Sequence, residues 1–138
     1  MSELVRFGVS MEKKLLHEFD RRICSRGYTN RSEALRDLVR DRLVELAWEG
    51  GTGEVVGTLT IVYDHEVRDL TDRLTDIQHK FHTSIIASTH AHLTHHTCLE
   101  VIILRGGPET IRKISDALLA AKGVRHGKLV STTTGKEF

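Results

Sequence analysis

A chain of 138 residues has room for one ordinary domain or two very small ones, and a formal net charge of +1 argues for no particular partner. No apolar run approaches the length of a membrane span and the third residue is already charged, so neither a transmembrane helix nor a signal peptide is expected, and a cytoplasmic location is. Two cysteines more than seventy residues apart, Cys24 and Cys98, form neither a disulfide framework nor a zinc-finger pattern.

In chain order, Val5, Phe7, Val9 and Met11 alternate with Arg6, Gly8 and Ser10, which reads as a short half-buried strand over 4–10. A helix follows from about Glu12 with Leu15, Leu16, Phe19 and Ile23 on one stripe, Cys24 in its core, and Gly27 as its stop. Asn30, with Glu33 three residues on, is the expected N-cap of a second helix whose stripe is Leu35, Leu38, Val39, Leu43 and Leu46. A strand and two helices in under about 50 residues bury too little surface alone, so pairing with a second copy is expected.

The sharpest compositional break is Glu49-Gly50-Gly51-Thr52-Gly53, a flexible stretch. Beyond it the pattern reads strand (Val55 to Tyr63), helix (His65 to about Phe81), a hairpin (Ser84 to Leu93 and Cys98 to Arg105), helix (Pro108 to Lys122) and strand (Val124 to Thr132). This βαββαβ order implies a four-stranded sheet with two helices on one face and the other face free to meet another subunit.

Of nine histidines, seven (His65, His79, His82, His90, His92, His95, His96) lie between residues 65 and 96, together with Cys98. His79, His90, His92 and Cys98 offer three imidazoles and a thiolate, a set suited to a late first-row divalent metal. His90 and His92 share a strand face. Cys98 joins that face only if it lies opposite His92, which a five-residue loop from Leu93 to Thr97 achieves and a two-residue His95-His96 turn does not. The same register sets Glu100 opposite His90, where a carboxylate could hold the ring. His82, His95 and His96 have the plainer reading of exposed polar residues.

The stretches Arg26-Gly27-Tyr28-Thr29-Asn30-Arg31-Ser32-Glu33-Ala34, Tyr63-Asp64-His65-Glu66, Gln78-His79, Thr89-His90-Ala91-His92, Cys98-Leu99-Glu100 and Gly123-Val124-Arg125-His126-Gly127 resemble the nickel-responsive ribbon-helix-helix transcriptional regulators. The similarity covers nearly the whole chain in the family's domain order. The resemblance implies an α+β chain: a ribbon-helix-helix (βαα) DNA-binding domain over 1–48, a flexible linker over 49–54, and an ACT-like βαββαβ domain over 55–138 that binds nickel and forms a homotetramer, a dimer of dimers. It implies one square-planar Ni(II) per subunit on His90, His92 and Cys98, with His79 from a neighbouring subunit. Tyr63, Glu100 and His65 would stand behind these ligands or carry the effector signal.

For double-stranded operator DNA, the resemblance implies a two-stranded ribbon in the major groove presenting Arg6, Gly8 and Ser10, with Arg6 able to read a guanine bidentately. Gly8 departs from the polar residue expected there. Asn30 and Arg31 would meet a phosphate at a helix N-terminus, and Arg68 could touch the backbone. Glu33 and Asp37, four apart on a helix, match positions that in some relatives help bind a second cation. The function so implied is a nickel-activated repressor of nickel uptake or nickel-enzyme genes, not an enzyme and without a small-molecule substrate. Two readings compete: a metal-dependent hydrolase with Glu100 as base, against which a closing fourth ligand argues, and an antitoxin-type or amino-acid-sensing regulator.

Overall fold

A computed structural model describes residues 3–138, which fall into two compact units meeting between Asp41 and Arg42. In the first, helix α1 spans Lys13–Ser25 and ends where Tyr28 N–H reaches back to the Ile23 carbonyl (3.2 Å) around Gly27, whose φ of 87° is left-handed. Helix α2 spans Arg31–Gly50, and the Asn30 side chain accepts from the Glu33 N–H at 2.9 Å, the cap its sequence position suggests. Arg31 donates twice to Asp20 on α1, both bonds at 2.7 Å.

Two expectations fail in this unit. Residues 4–10 form no strand, and their side chains are all exposed. A strand needs a neighbour for its N–H and C=O groups, and the described residues supply none here. Cys24 is exposed rather than in a core, because α1 buries none of its residues. Along α2, Leu35 is half-buried while Leu38 and Val39, and beyond Asp41 Leu43 and Leu46, are exposed. Most of that stripe therefore faces outward in the single chain, where pairing with a second copy was expected to cover it.

The second unit is a four-stranded antiparallel sheet in the order β2-β3-β1-β4, built from β1 (Val55–Asp64), β2 (Ile85–His92), β3 (Thr97–Gly106) and β4 (Val124–Thr132). Helices α3 (Leu70–Lys80) and α4 (Pro108–Leu119) complete the expected βαββαβ order, with Pro108 opening α4. Alternation along β1 and β3 sends Leu59, Ile61, Ile102 and Leu104 to one face, where Leu70 and Leu74 of α3 and Ile111, Ile114 and Leu118 of α4 complete the core. Arg42–Gly50 of α2 belongs to this unit, and Trp48 joins the same core. The break suggested by composition lies further on, at the glycines after residue 48, because α2 continues to Gly50.

Helix α3 begins later than its sequence pattern suggests. Asp64 Oδ1 accepts from the Glu66 N–H (2.9 Å), His65 N–H donates to the His96 carbonyl (3.0 Å), and Asp69 takes a left-handed φ of 62°, so residues 65–69 turn rather than coil into helix.

Candidate metal centre

The site forms at one end of the sheet, where β2 and β3 pair. The hairpin places His92 opposite Cys98 and His90 opposite Glu100, and Leu93 N–H closes the loop onto the Thr97 carbonyl at 2.9 Å. This is the five-residue register that the face argument requires. Ser88, His90, His92, Cys98 and Glu100 therefore share the sheet face on which α3 and α4 pack.

Three donor groups converge. His65 Nδ1 lies 3.2 Å from Cys98 Sγ, His92 Nδ1 lies 3.5 Å from the same sulfur, and the ligand atoms of all three residues fall within 4.8 Å of one another. Bonds of roughly 2.0–2.3 Å from one ion can reach donors so spaced, and two imidazoles with a thiol form a borderline-soft set suited to nickel, copper or zinc. The residues fit such an ion. The His90 ring stands 5.0 Å from the His92 ring and stacks with Tyr63 at 6.1 Å, beside the trio rather than within it. His79 is exposed in the last turn of α3 and lies outside the trio. Sequence reasoning set His65 behind the ligands; the turn after β1 carries it against Cys98.

Cys98 is wholly buried, and burial first, then the charges of Asp64 and Glu100, push its thiol up. A cation at the sulfur therefore has to displace a firmly held proton. Glu100, also buried, ties three elements together by accepting from Ser88 Oγ of β2 (2.5 Å), Gln78 Nε2 of α3 (3.0 Å) and Tyr63 Oη of β1 (3.4 Å). Burial and the neighbouring Glu100 carboxylate push Tyr63 up to about 12, so it stays a donor. Glu100 does not hydrogen-bond His90, its partner in the register. The sequence reading quoted Gln78 beside His79 but gave it no role at the site, and it passed over Ser88, although Ser88 shares a strand face with His90.

The other candidates lie apart. Arg6, Gly8 and Ser10 are exposed in the N-terminal segment, outside any helix or strand, and Arg68 is almost fully exposed beside Asp69. Asn30 caps α2, while the Arg31 guanidinium is engaged by Asp20. Glu33 is exposed, and both oxygens of Asp37 are taken, one by Tyr28 Oη at 2.6 Å and the other by Arg40 at 3.2 Å.

Residues 56–132 match the family described as the NikR C terminal nickel binding domain, and residues 5–46 match the ribbon-helix-helix proteins of the copG family. A protein of Geobacter metallireducens is 58% identical across all of this chain and 99% of its own length. Another, from Pyrococcus furiosus, is 53% identical over 98% of each chain, and both carry the name "Putative nickel-responsive regulator". The chain belongs to the nickel-responsive regulator family. In fold alone, an uncharacterized protein of Thermotoga maritima resembles it with a TM-score of 0.52 and 20% identity, covering 57% of this chain and 98% of that one. Family membership makes this chain a regulator of transcription with a DNA-binding and a nickel-binding domain. No helix among the described residues is long and apolar enough to cross a membrane.

Proposed function

We propose that this chain is a repressor of nickel uptake or nickel-enzyme genes that binds its operator when loaded with one Ni(II) per subunit, and that it works as a homotetramer, a dimer of dimers, rather than as an enzyme. The observation that carries this reading is the convergence of His92 and His65 on the buried sulfur of Cys98, with His90 on the same strand face. Nickel, when bound, supplies a divalent charge and a preference for a planar set of nitrogen and sulfur donors. His90, His92 and Cys98 would hold it, with His79 coming from a neighbouring subunit. The exposure of His79 on the last turn of α3 suits that role. His65 would hold the Cys98 sulfur in place, and Glu100, through Gln78, would fix the turn of α3 that presents His79.

The N-terminal unit supports the DNA reading. Residues 4–10 have polar and apolar positions in alternation but no pairing partner among the described residues, as suits a ribbon completed by a second copy with Arg6, Gly8 and Ser10 toward the groove. Arg31 would exchange Asp20 for a phosphate, Asn30 would lie beside it, and Arg68 would reach the backbone separately. The division into domains over 1–48 and 55–138, with a linker over 49–54, belongs to the same reading. So does a second cation at Glu33 and Asp37, for which Asp37 would first have to release Tyr28 or Arg40. Regulation then follows from linkage: nickel that binds the DNA-competent form more tightly shifts the chain toward it, and DNA tightens nickel by the same factor.

The test is selection of binding sites from a random duplex pool with the reduced full-length protein, with and without Ni(II). Enrichment of a symmetric two-half-site sequence only in the presence of nickel is the expected result. Equal enrichment in both arms would sink the nickel-gated reading and favour a metal-independent regulator.

A further inference from the structure

The single tryptophan of the chain, Trp48, lies in the last turns of α2 and is only 3% exposed. Val44 and Ala47 on the same side of the helix are half-buried against the same core, while Glu45, Leu46 and Glu49 are exposed. Its seat is built from three elements of the sheet unit. Gly57 of β1 leaves the space: a Cβ at that position would come 3.2 Å from the indole Cη2, 3.0 Å from Leu129 Cδ1 of β4 and 3.5 Å from Ile111 Cγ2 of α4. The indole N–H donates to the carbonyl of Thr132 at the end of β4 (3.0 Å). Arg112 of α4 closes the seat from outside, with its guanidinium 5.6 Å from the ring centroid and Nη2 donating to the Trp48 carbonyl at 2.9 Å. The ring thus has apolar walls, its one polar atom is satisfied, and a cation caps the carbonyl near the helix end.

We propose that this socket is a lock that makes Arg42–Gly50 of α2 part of the sheet unit, so that a change in that unit reaches the N-terminal unit through helix α2 and not through the glycine stretch. The stretch Gly51 to Glu54 is then a surface loop with both ends anchored, Trp48 on one side and the buried Val55 on the other. Trp48 is a positioning residue in this account, since it touches neither nickel nor DNA. The lock itself stands on the packing alone, whereas its part in transmitting the nickel signal rests on the regulatory reading above.

The experiment has two arms, both on the reduced full-length protein. The first reads Trp48 emission and its quenching by acrylamide, with neither nickel nor DNA present. The wild type is expected to emit as a buried indole and resist quenching, and Gly57→Ala, which fills the seat, to shift the emission red and raise quenching. An indole quenched as freely as a solvent-exposed one in the wild type would overturn the lock.

The second arm measures the factor by which nickel tightens binding to the selected duplex. Inserting two glycines after Gly51 is expected to leave that factor within about twofold, while Gly57→Ala and Trp48→Ala reduce it by about tenfold with nickel affinity unchanged. Trp48→Phe, which keeps a ring in the seat, is expected to restore most of it, an outcome that separates positioning from a general loss of stability. Loss of the factor on glycine insertion, with none in Gly57→Ala, would overturn the route through α2. A wild-type protein whose DNA binding ignores nickel would instead sink the regulatory reading, and the quenching arm would still decide the lock.

Discussion

The two units of this chain carry similar hydrophobic patterns and do opposite things with them. In the sheet unit, alternation on β1 and β3 ends in fully buried side chains such as Leu59, Ile61, Ile102 and Leu104. In the N-terminal unit, Phe7 is 78% exposed, Leu38 and Val39 are more than half exposed, and Ala34 is the one hydrophobic residue up to Asp41, among those described, that is buried. A periodic apolar pattern promises burial without saying against what. Where a sheet and two helices are at hand, the chain meets the promise itself; where only two helices are, the surface is left for a partner.

The largest effects should separate these two cases. Ile102→Ala is expected to destabilise the sheet unit by about 2–5 kcal/mol in urea unfolding. Phe7→Ala should instead leave the sheet unit in place and lower the midpoint of the N-terminal unit, a loss that a higher protein concentration recovers. An equal, concentration-independent loss from both would break the comparison. Next, Gly127→Val places a side chain against Leu119, 2.9 Å from Ile61 Cγ2 and 3.0 Å from the Thr60 carbonyl, and should cost about 1–3 kcal/mol by overpacking in the same assay.

Asn30→Ala removes the cap on the Glu33 N–H and should lower the thermal stability of the N-terminal unit by about 1 kcal/mol, leaving the sheet unit unchanged. The smallest effect concerns pH. The Arg31 hydrogen bond holds the exposed Asp20 carboxyl below its ordinary range. The contribution of that pair is therefore present above the ordinary carboxylate pKa of about 3.9 and lost as pH falls through the depressed value. Carboxyl-carbon NMR should show Asp20 titrating low, and Arg31→Ala should return it to the ordinary range.

Much of the sheet unit was legible because its pairing is local. The alternation of His90 and His92, a loop of odd length and the position of Cys98 fix the face that the three share, and the hairpin has that register. What was hidden depends on contacts that no local pattern encodes. His65 reaches Cys98 because the His65 N–H pairs with the carbonyl of His96, thirty-one positions away in sequence. Gln78 and Ser88 meet only at Glu100, which itself turns from His90 toward them. Trp48 falls off the stripe of Leu43 and Leu46 and lies instead with Val44 and Ala47 on a second face of α2, whose target, the core of the sheet unit, no local pattern names. The alternation over 4–10 suggested a strand that the single chain does not form, because no neighbour for it lies among the described residues.

The most direct measurement is an absorption titration of the reduced protein with Ni(II), run beside Cys98→Ala and His79→Ala and followed at the thiolate-to-nickel charge-transfer band. The expected result is one nickel per chain with a planar-type spectrum, the band absent in Cys98→Ala, and affinity in both variants weakened by more than the roughly 10–100-fold that follows loss of a ligand's supporting partner. A spectrum indifferent to Cys98, or wild-type binding no tighter than that of the Cys98→Ala variant, would contradict the assignment of this cluster as the nickel site.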